Sequence, residues 1–231
     1  MLIIGHRGAR GLVAENTLES LKKALDLGVD VVEFDVWTSK DGVPVLHHDS
    51  SLVKMTGNTA QIFDMSLGQI RKVRTHGGYK IPTAEEAFKL LRGTPVMLEI
   101  KDFYLSEGVL KLLNKFDKMD ISITSFRQNV LSDLSQRRQG LRLYAATSWH
   151  PIETLHFIKQ HGLYGLNLNY RAFNPLIYWL AKRGDIRIML YSVNSPVYVK
   201  LLKKMKIDVG ICTDYPDRFQ KKTGSKPVTT E

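Results

Sequence analysis

Cysteine is almost missing from this chain, which carries only Cys212. An intrachain disulfide is therefore excluded, and so is a zinc site built on cysteine. Within IDVGICTD, Cys212 reads as a buried strand position. Long apolar runs are missing as well. Nothing approaches the ~20 residues that span a bilayer, and the start, MLIIGHRG, has neither the charged leader nor the apolar stretch of a signal peptide. These absences point to a soluble, cytoplasmic protein with no stable membrane insertion. Acidic residues are outnumbered by basic ones, 23 against 33, for a net charge of +10. The basic residues are scattered, with no aromatic-interleaved stripe, so nucleic acid is not the expected partner. A cationic surface around an anion-attracting pocket is.

What the chain has in quantity is alternation. Its 231 residues, 43% hydrophobic and 24% charged, suit one large globular domain. Short apolar runs predict strands at 2–5, 30–36, 95–100, 121–125, 141–145, 164–168, 186–191 and 208–212. Helical patterns fall at 16–27, 83–92, 106–116, 127–138, 151–161, 174–183 and 195–205. The first helix is well marked: Asn16 or Thr17 caps it, Leu18, Leu21, Ala24 and Leu25 give the period, and Gly28 ends it. Strands alternating with helices imply parallel βαβ units, and eight units favour a closed α/β barrel, the (β/α)8 TIM barrel, over a doubly wound sheet. GHRGARG lacks the G-x-G-x-x-G spacing of a dinucleotide site. A turn at Asp41-Gly42 and a short strand should add a hairpin after strand two, with 49–82 a small insertion or cap. The domain would span 1–219, and 220–231 would form a flexible tail.

Charged residues stand at the ends of the first predicted barrel strands. Glu33 and Asp35 in VVEFDV are two apart, as are Glu99 and Lys101 in MLEIK. Residues i and i+2 of a strand share a face, and a barrel places catalytic groups at the C-terminal ends of its strands. Burying unpaired charge is costly. The acids are therefore expected to hold a cation, and three carboxylates without a thiolate suit a hard divalent ion, Mg2+ or Ca2+. The competing use of these acids is ion pairing with Lys101 and Arg7. Arg7 and Lys101 suit a phosphate, although Arg7 could instead pair with Glu15. His6, and either His47 or His48, are candidates for acid–base work; only one of two strand neighbours can point inward. A divalent cation, two basic anchors and two histidines imply phosphoryl transfer at a phosphodiester.

The block HRGARGLVAENTLESLKKALDLGVDVVEFDVWTSKDGVPVLHHD resembles the N-terminal signature of glycerophosphodiester phosphodiesterases, with H-R-G, E-N-T, E-x-D-V, K-D-G and H-D in order. IPTAEEAF, MLEIK, TSF, YSVN and TDYP match later landmarks of that family. The resemblance implies a (β/α)8 barrel and hydrolysis of a small glycerophosphodiester to sn-glycerol 3-phosphate and an alcohol. It implies Glu33, Asp35 and Glu99 as ligands of Mg2+ or Ca2+, His6 and His48 as the acid–base pair, and Arg7 and Lys101 as phosphate anchors. His48 is preferred to His47 because it directly precedes Asp49. Asn16, after Glu15 in the E-N-T match, is expected to orient the first loop. Tyr191 stands where a Trp is common, and Ser192 where a Thr is, so the pocket facing glycerol or alcohol should differ. Two other readings stay open: a lysophospholipase D activity, and a non-catalytic phosphodiester-binding protein. The first needs an apolar entrance, for which Phe173, Leu176, Ile177, Tyr178 and Trp179 qualify, though that stripe reads better as a core helix face.

Overall fold

Strand β1 (Ile3–Gly5) and strand β2 (Val31–Thr38) pair in parallel, and β3 (Pro44–Leu46) folds back antiparallel on β2. Then follow β4 (Val96–Ile100), β5 (Ile121–Ser125), β6 (Arg142–Thr147), β7 (Gly165–Asn169), β8 (Arg187–Tyr191) and β9 (Gly210–Thr213). The order β1-β9-β8-β7-β6-β5-β4-β2 is closed by the β1–β2 pairing. The result is an eight-stranded parallel barrel, as expected. The computed structural model describes residues 1–219, and the expected tail at 220–231 lies outside the described residues.

The helices are α1 (Leu18–Asp26), α2 (Val53–Thr56), α3 (Leu67–Ile70), α4 (Ala84–Leu90), α5 (Glu107–Lys115), α6 (Gln128–Arg137), α7 (Pro151–Gln160), α8 (Pro175–Arg183) and α9 (Pro196–Lys204). Their starts are chemically marked. Thr17, not Asn16, caps α1, its hydroxyl accepting from the Ser20 backbone N–H at 3.1 Å. Thr83 and Glu86 form a reciprocal capping box on α4. Proline opens α7, α8 and α9, where its missing N–H costs nothing.

Strand β2 shows how the sequence divides its two faces. Val32, Phe34 and Val36 join the layer between barrel and helices. There Phe34 meets Phe88 of α4 edge-on at 5.8 Å between ring centres. Burying each such side chain contributes about 1.5–3 kcal/mol. The alternate residues, Val31, Glu33 and Asp35, point into the barrel. Val31 packs there with Ile4, Met97, Tyr144, Met189 and Cys212. The barrel floor is thus apolar, and the charges begin one strand step above it.

The segment 49–82 holds α2, α3 and a 3-10 turn, Ile62–Asp64. It has its own apolar cluster, in which Leu52, Ile62, Ile70 and Ile81 pack with Trp37 and Val45 of the hairpin. Asp41 fastens it, accepting from the Leu67 backbone N–H at 2.9 Å.

The stripe at 173–179 is the expected core face only in part: Phe173 and Tyr178 pack against the core. Ile177 is buried with Ala181 one turn later, but Leu176 and Trp179 are 55% and 50% exposed. The helical period explains the split: positions 177 and 181 share the barrel-facing side, while 176 and 179 lie off it.

Candidate active site

Register brings the acids together. Asp35 is the direct neighbour of Glu99 across the β2–β4 ladder, and Glu33 precedes Asp35 by one same-face step. Glu33, Asp35 and Glu99 are all buried, and each offers a carboxylate oxygen within 4.8 Å of the other two. Such like charges in a dry site are held only if something cationic joins them.

The loop after β1 supplies part of that. Arg7 and Gly8 both adopt positive φ, 50° and 81°. A side chain on Gly8 would fall 2.5 Å from the Ser20 backbone, so glycine is required there. The tight turn aims the Arg7 backbone N–H at Glu33 Oε2, 2.7 Å away. The Arg7 guanidinium reaches Glu15 at 2.7 Å and Asp35 at 3.0 Å. Asn16, at φ 55°, clamps Asp35 from both sides. Its Nδ2 donates to Oδ2 at 2.9 Å, and its Oδ1 accepts the Asp35 backbone N–H at 3.1 Å. Lys101 reaches Glu99 at 2.7 Å and Asp35 at 3.5 Å. The ion pairs that competed with metal binding in the sequence reading therefore exist. They still leave Glu33 Oε1 and Asp35 Oδ1 buried without a hydrogen-bond donor.

Charge is unevenly shared. Burial, with the neighbouring Asp35 and Glu99 carboxylates, pushes Glu33 well above the usual carboxylate range. Burial also raises Glu99, against the pull of Lys101. Burial acts upward on Asp35 too, but Arg7, Lys101 and His48 together overcome it and hold Asp35 low. Lys101 is desolvated, yet Glu99 and Asp35 keep its ammonium charged.

Each of two histidines at the mouth is held by an aspartate. His6 follows β1, and its backbone N–H donates to Thr213 O at 3.0 Å, which sets it beside Asp214. His6 Nδ1 lies 2.6 Å from Asp214 Oδ1. His48 Nδ1 lies 2.7 Å from Asp49 Oδ1. A carboxylate only accepts, so Nδ1 carries the proton in both rings and Nε2 is left for other business. Burial pushes both imidazoles below their ordinary value, while Asp214 opposes this at His6 and Asp35 at His48. His6 and His48 line one cavity of about 260 Å³ with Glu33, Glu99, Lys101 and Tyr191. His47 does not line it; its Nδ1 turns to the Asp49 carbonyl at 2.7 Å. Tyr191 bonds to Ser148 Oγ at 3.1 Å, and burial pushes its phenol up to about 12.

Asp214 and Asn194, inside the TDYP and YSVN stretches, and Asp49, used above only as the neighbour that marks His48, are site residues that were assigned no role from the sequence. Asn194 donates to Asp214 Oδ2 at 2.8 Å and accepts the Asp214 backbone N–H at 2.9 Å, which fixes the carboxylate that holds His6. The signal was their place, directly after or beside strand ends. A second cluster, His6, Glu33 and Cys212, is also close enough to hold an ion. Burial, with Glu33, Asp214 and Glu99 nearby, keeps the Cys212 thiol protonated, which makes it a poor ligand.

Residues 6–218 match the profile described as the glycerophosphoryl diester phosphodiesterase family. A glycerophosphodiester phosphodiesterase of Caldanaerobacter subterraneus is 27% identical, the match covering 94% of this chain and 95% of that protein. A Thermotoga maritima glycerophosphodiester phosphodiesterase structure is 26% identical, with a TM-score of 0.79 over 95% of this chain and 96% of that one. An Oleispira antarctica phosphodiesterase, solved with its product sn-glycerol-3-phosphate, superposes with a TM-score of 0.87 at 22% identity, over 95% of each chain.

Proposed function

We propose that this chain, which belongs to the glycerophosphoryl diester phosphodiesterase family, hydrolyses small glycerophosphodiesters to sn-glycerol 3-phosphate and an alcohol with a divalent cation and two histidines. The observation that carries the reading is the single cavity onto which His6, His48, Glu33, Glu99 and Lys101 all open. That combination offers a proton acceptor, a proton donor and a phosphate anchor around one reacting centre.

The donor set fits a hard cation. Glu33, Asp35 and Glu99 are hard oxygen ligands within 4.8 Å of one another, and two of their oxygens have no hydrogen-bond donor. These three residues would hold Mg2+ or Ca2+, which supplies charge neutralisation at the phosphate oxygens when bound.

The remaining roles belong to the chain's own groups. Lys101 and Arg7 present positive charge toward the phosphate. One of the two histidines takes a proton at Nε2 from the glycerol hydroxyl next to the phosphate. The other gives a proton at Nε2 to the departing alcohol oxygen. The roles then reverse as water opens the cyclic phosphate. Asp214 and Asp49 hold the rings in the tautomer this requires. Asn16 keeps Asp35 facing the cluster. Replacing His6 by Ala should lower kcat by roughly 10²–10⁴-fold; a variant that keeps full turnover would overturn the assigned role.

A further inference from the structure

One side of the barrel mouth is lined by exposed apolar loop tips. Strands β4 to β8 are consecutive neighbours in the barrel. Each of the five segments that leave them carries at least one large exposed hydrophobic: Phe103 with Tyr104, Phe126, Trp149 with Ile152, Leu176 and Val197, between 43% and 79% exposed. All belong to the loop after a strand or to the first turn of the next helix, so all lie on the mouth side. Exposed apolar residues scattered singly need no explanation, but one on each of five adjacent loops does.

Their exposed charges have one sign; the acid beside Phe103, Asp102, is buried and accepts the Thr38 backbone N–H at 2.9 Å. Among the described residues, the segments 126–127, 148–152, 170–176 and 192–197 contain no acid, and they contain Arg127 and Arg171, both exposed. Arg127 lies over the Phe103 ring at 4.7 Å and Arg171 over Tyr170 at 5.9 Å. The helices that follow these loops add two exposed acids in their first turns, Glu107, already paired with Arg137 at 3.1 Å, and Glu153. The whole chain adds a charge of +10. Aromatic and aliphatic tips interleaved with arginine match an interface that is apolar below and anionic at its surface.

We infer that this crescent docks the barrel mouth onto an anionic phospholipid surface, as a peripheral contact that places the cavity at headgroup level. No helix among the described residues is long and apolar enough to cross a membrane, so the contact is interfacial.

The test is sedimentation of the full chain with vesicles of phosphatidylcholine alone and of phosphatidylcholine mixed with phosphatidylglycerol, without added substrate. The wild-type chain should bind the mixed vesicles and release at high salt. The double variant Trp149→Ser, Leu176→Ser should bind them at least about tenfold more weakly. A second variant, Arg127→Glu with Arg171→Glu, should lose the preference for anionic vesicles. Hydrolysis of soluble glycerophosphocholine should be the same in all three, which reports folding and tests the catalytic reading separately. No vesicle binding by the wild type would overturn the inference, as would equal binding of the Trp149–Leu176 variant or equal binding to both vesicle types. Association of the wild type into a dimer that the Trp149–Leu176 variant abolishes would overturn it too.

Discussion

The Asp214 carboxylate lies 2.6 Å from the His6 imidazole, although 208 positions separate the two residues in the chain. The β1–β9 register places them side by side, with Gly5 opposite Thr213 and one further residue on each strand. Asp214 feels burial, which raises its pKa, but the hydrogen bond and charge of His6, with Asn194 and Arg10, bring it down to about 2. The replacement Asp214→Asn should therefore cost kcat roughly 10–100-fold with little change in KM, because the ring loses its set tautomer rather than its substrate. Steady-state kinetics separate the two parameters.

The same contact has a pH signature in stability. The Asp214 carboxyl is depressed in the folded protein, so its stabilisation is complete above the ordinary value of 3.8 and fades as pH falls toward about 2. Because the group is partly solvated, roughly 1–2 kcal/mol is expected at neutral pH. Denaturant melts of wild type and Asp214→Asn should differ at pH 7 and converge near pH 2.

Burial and the neighbouring Asp35 and Glu99 carboxylates push Glu33 well above the usual carboxylate range, which favours a bound proton on it. A cation bound there must displace that proton. Mg2+ or Ca2+ affinity should thus rise with pH through the elevated Glu33 range, with proton release. Calorimetric titration in buffers of different ionisation enthalpy would register it. Glu33→Gln with Asp35→Asn should abolish the binding heat.

Lys101 is anchored by Glu99 and Asp35 while lining the cavity. Removing its ammonium in Lys101→Ala should raise KM for a phosphodiester about tenfold or more. Glu99 should then titrate still higher, having lost the cation that opposes burial.

The hairpin that delivers His48 is locked at Gly108. A Cβ there would overlap the Gly42 carbonyl oxygen in the turn between β2 and β3. Ala is worth about 1 kcal/mol over Gly inside a helix, but overlap with a backbone atom costs about 1–3 kcal/mol. The neighbour is a turn residue at φ 81° and cannot swing aside like a side chain. Gly108→Ala should therefore lower the melting temperature.

The barrel was legible because its signal is local. VVEFDV alternates two faces within six residues, and α1 carries its cap, period and stop in one stretch. The metal-ligand candidates were legible for the same reason, since i and i+2 share a face. Asn16 was ambiguous, because a residue next to Thr17 can cap a helix or face a strand; it clamps Asp35. Asp214 and Asn194 were not legible as partners of His6, because closure of the barrel creates that contact and no local pattern encodes it. The short helices α2 and α3 span four residues each, too few to show a period.

The central claim is tested most directly by glycerol 3-phosphate release from glycerophosphocholine, with Mg2+ or Ca2+ and then with a chelator. Release that needs the cation and disappears with it is the expected result. No release with either cation, or release undiminished in chelator, would contradict the proposed cation-dependent phosphodiesterase.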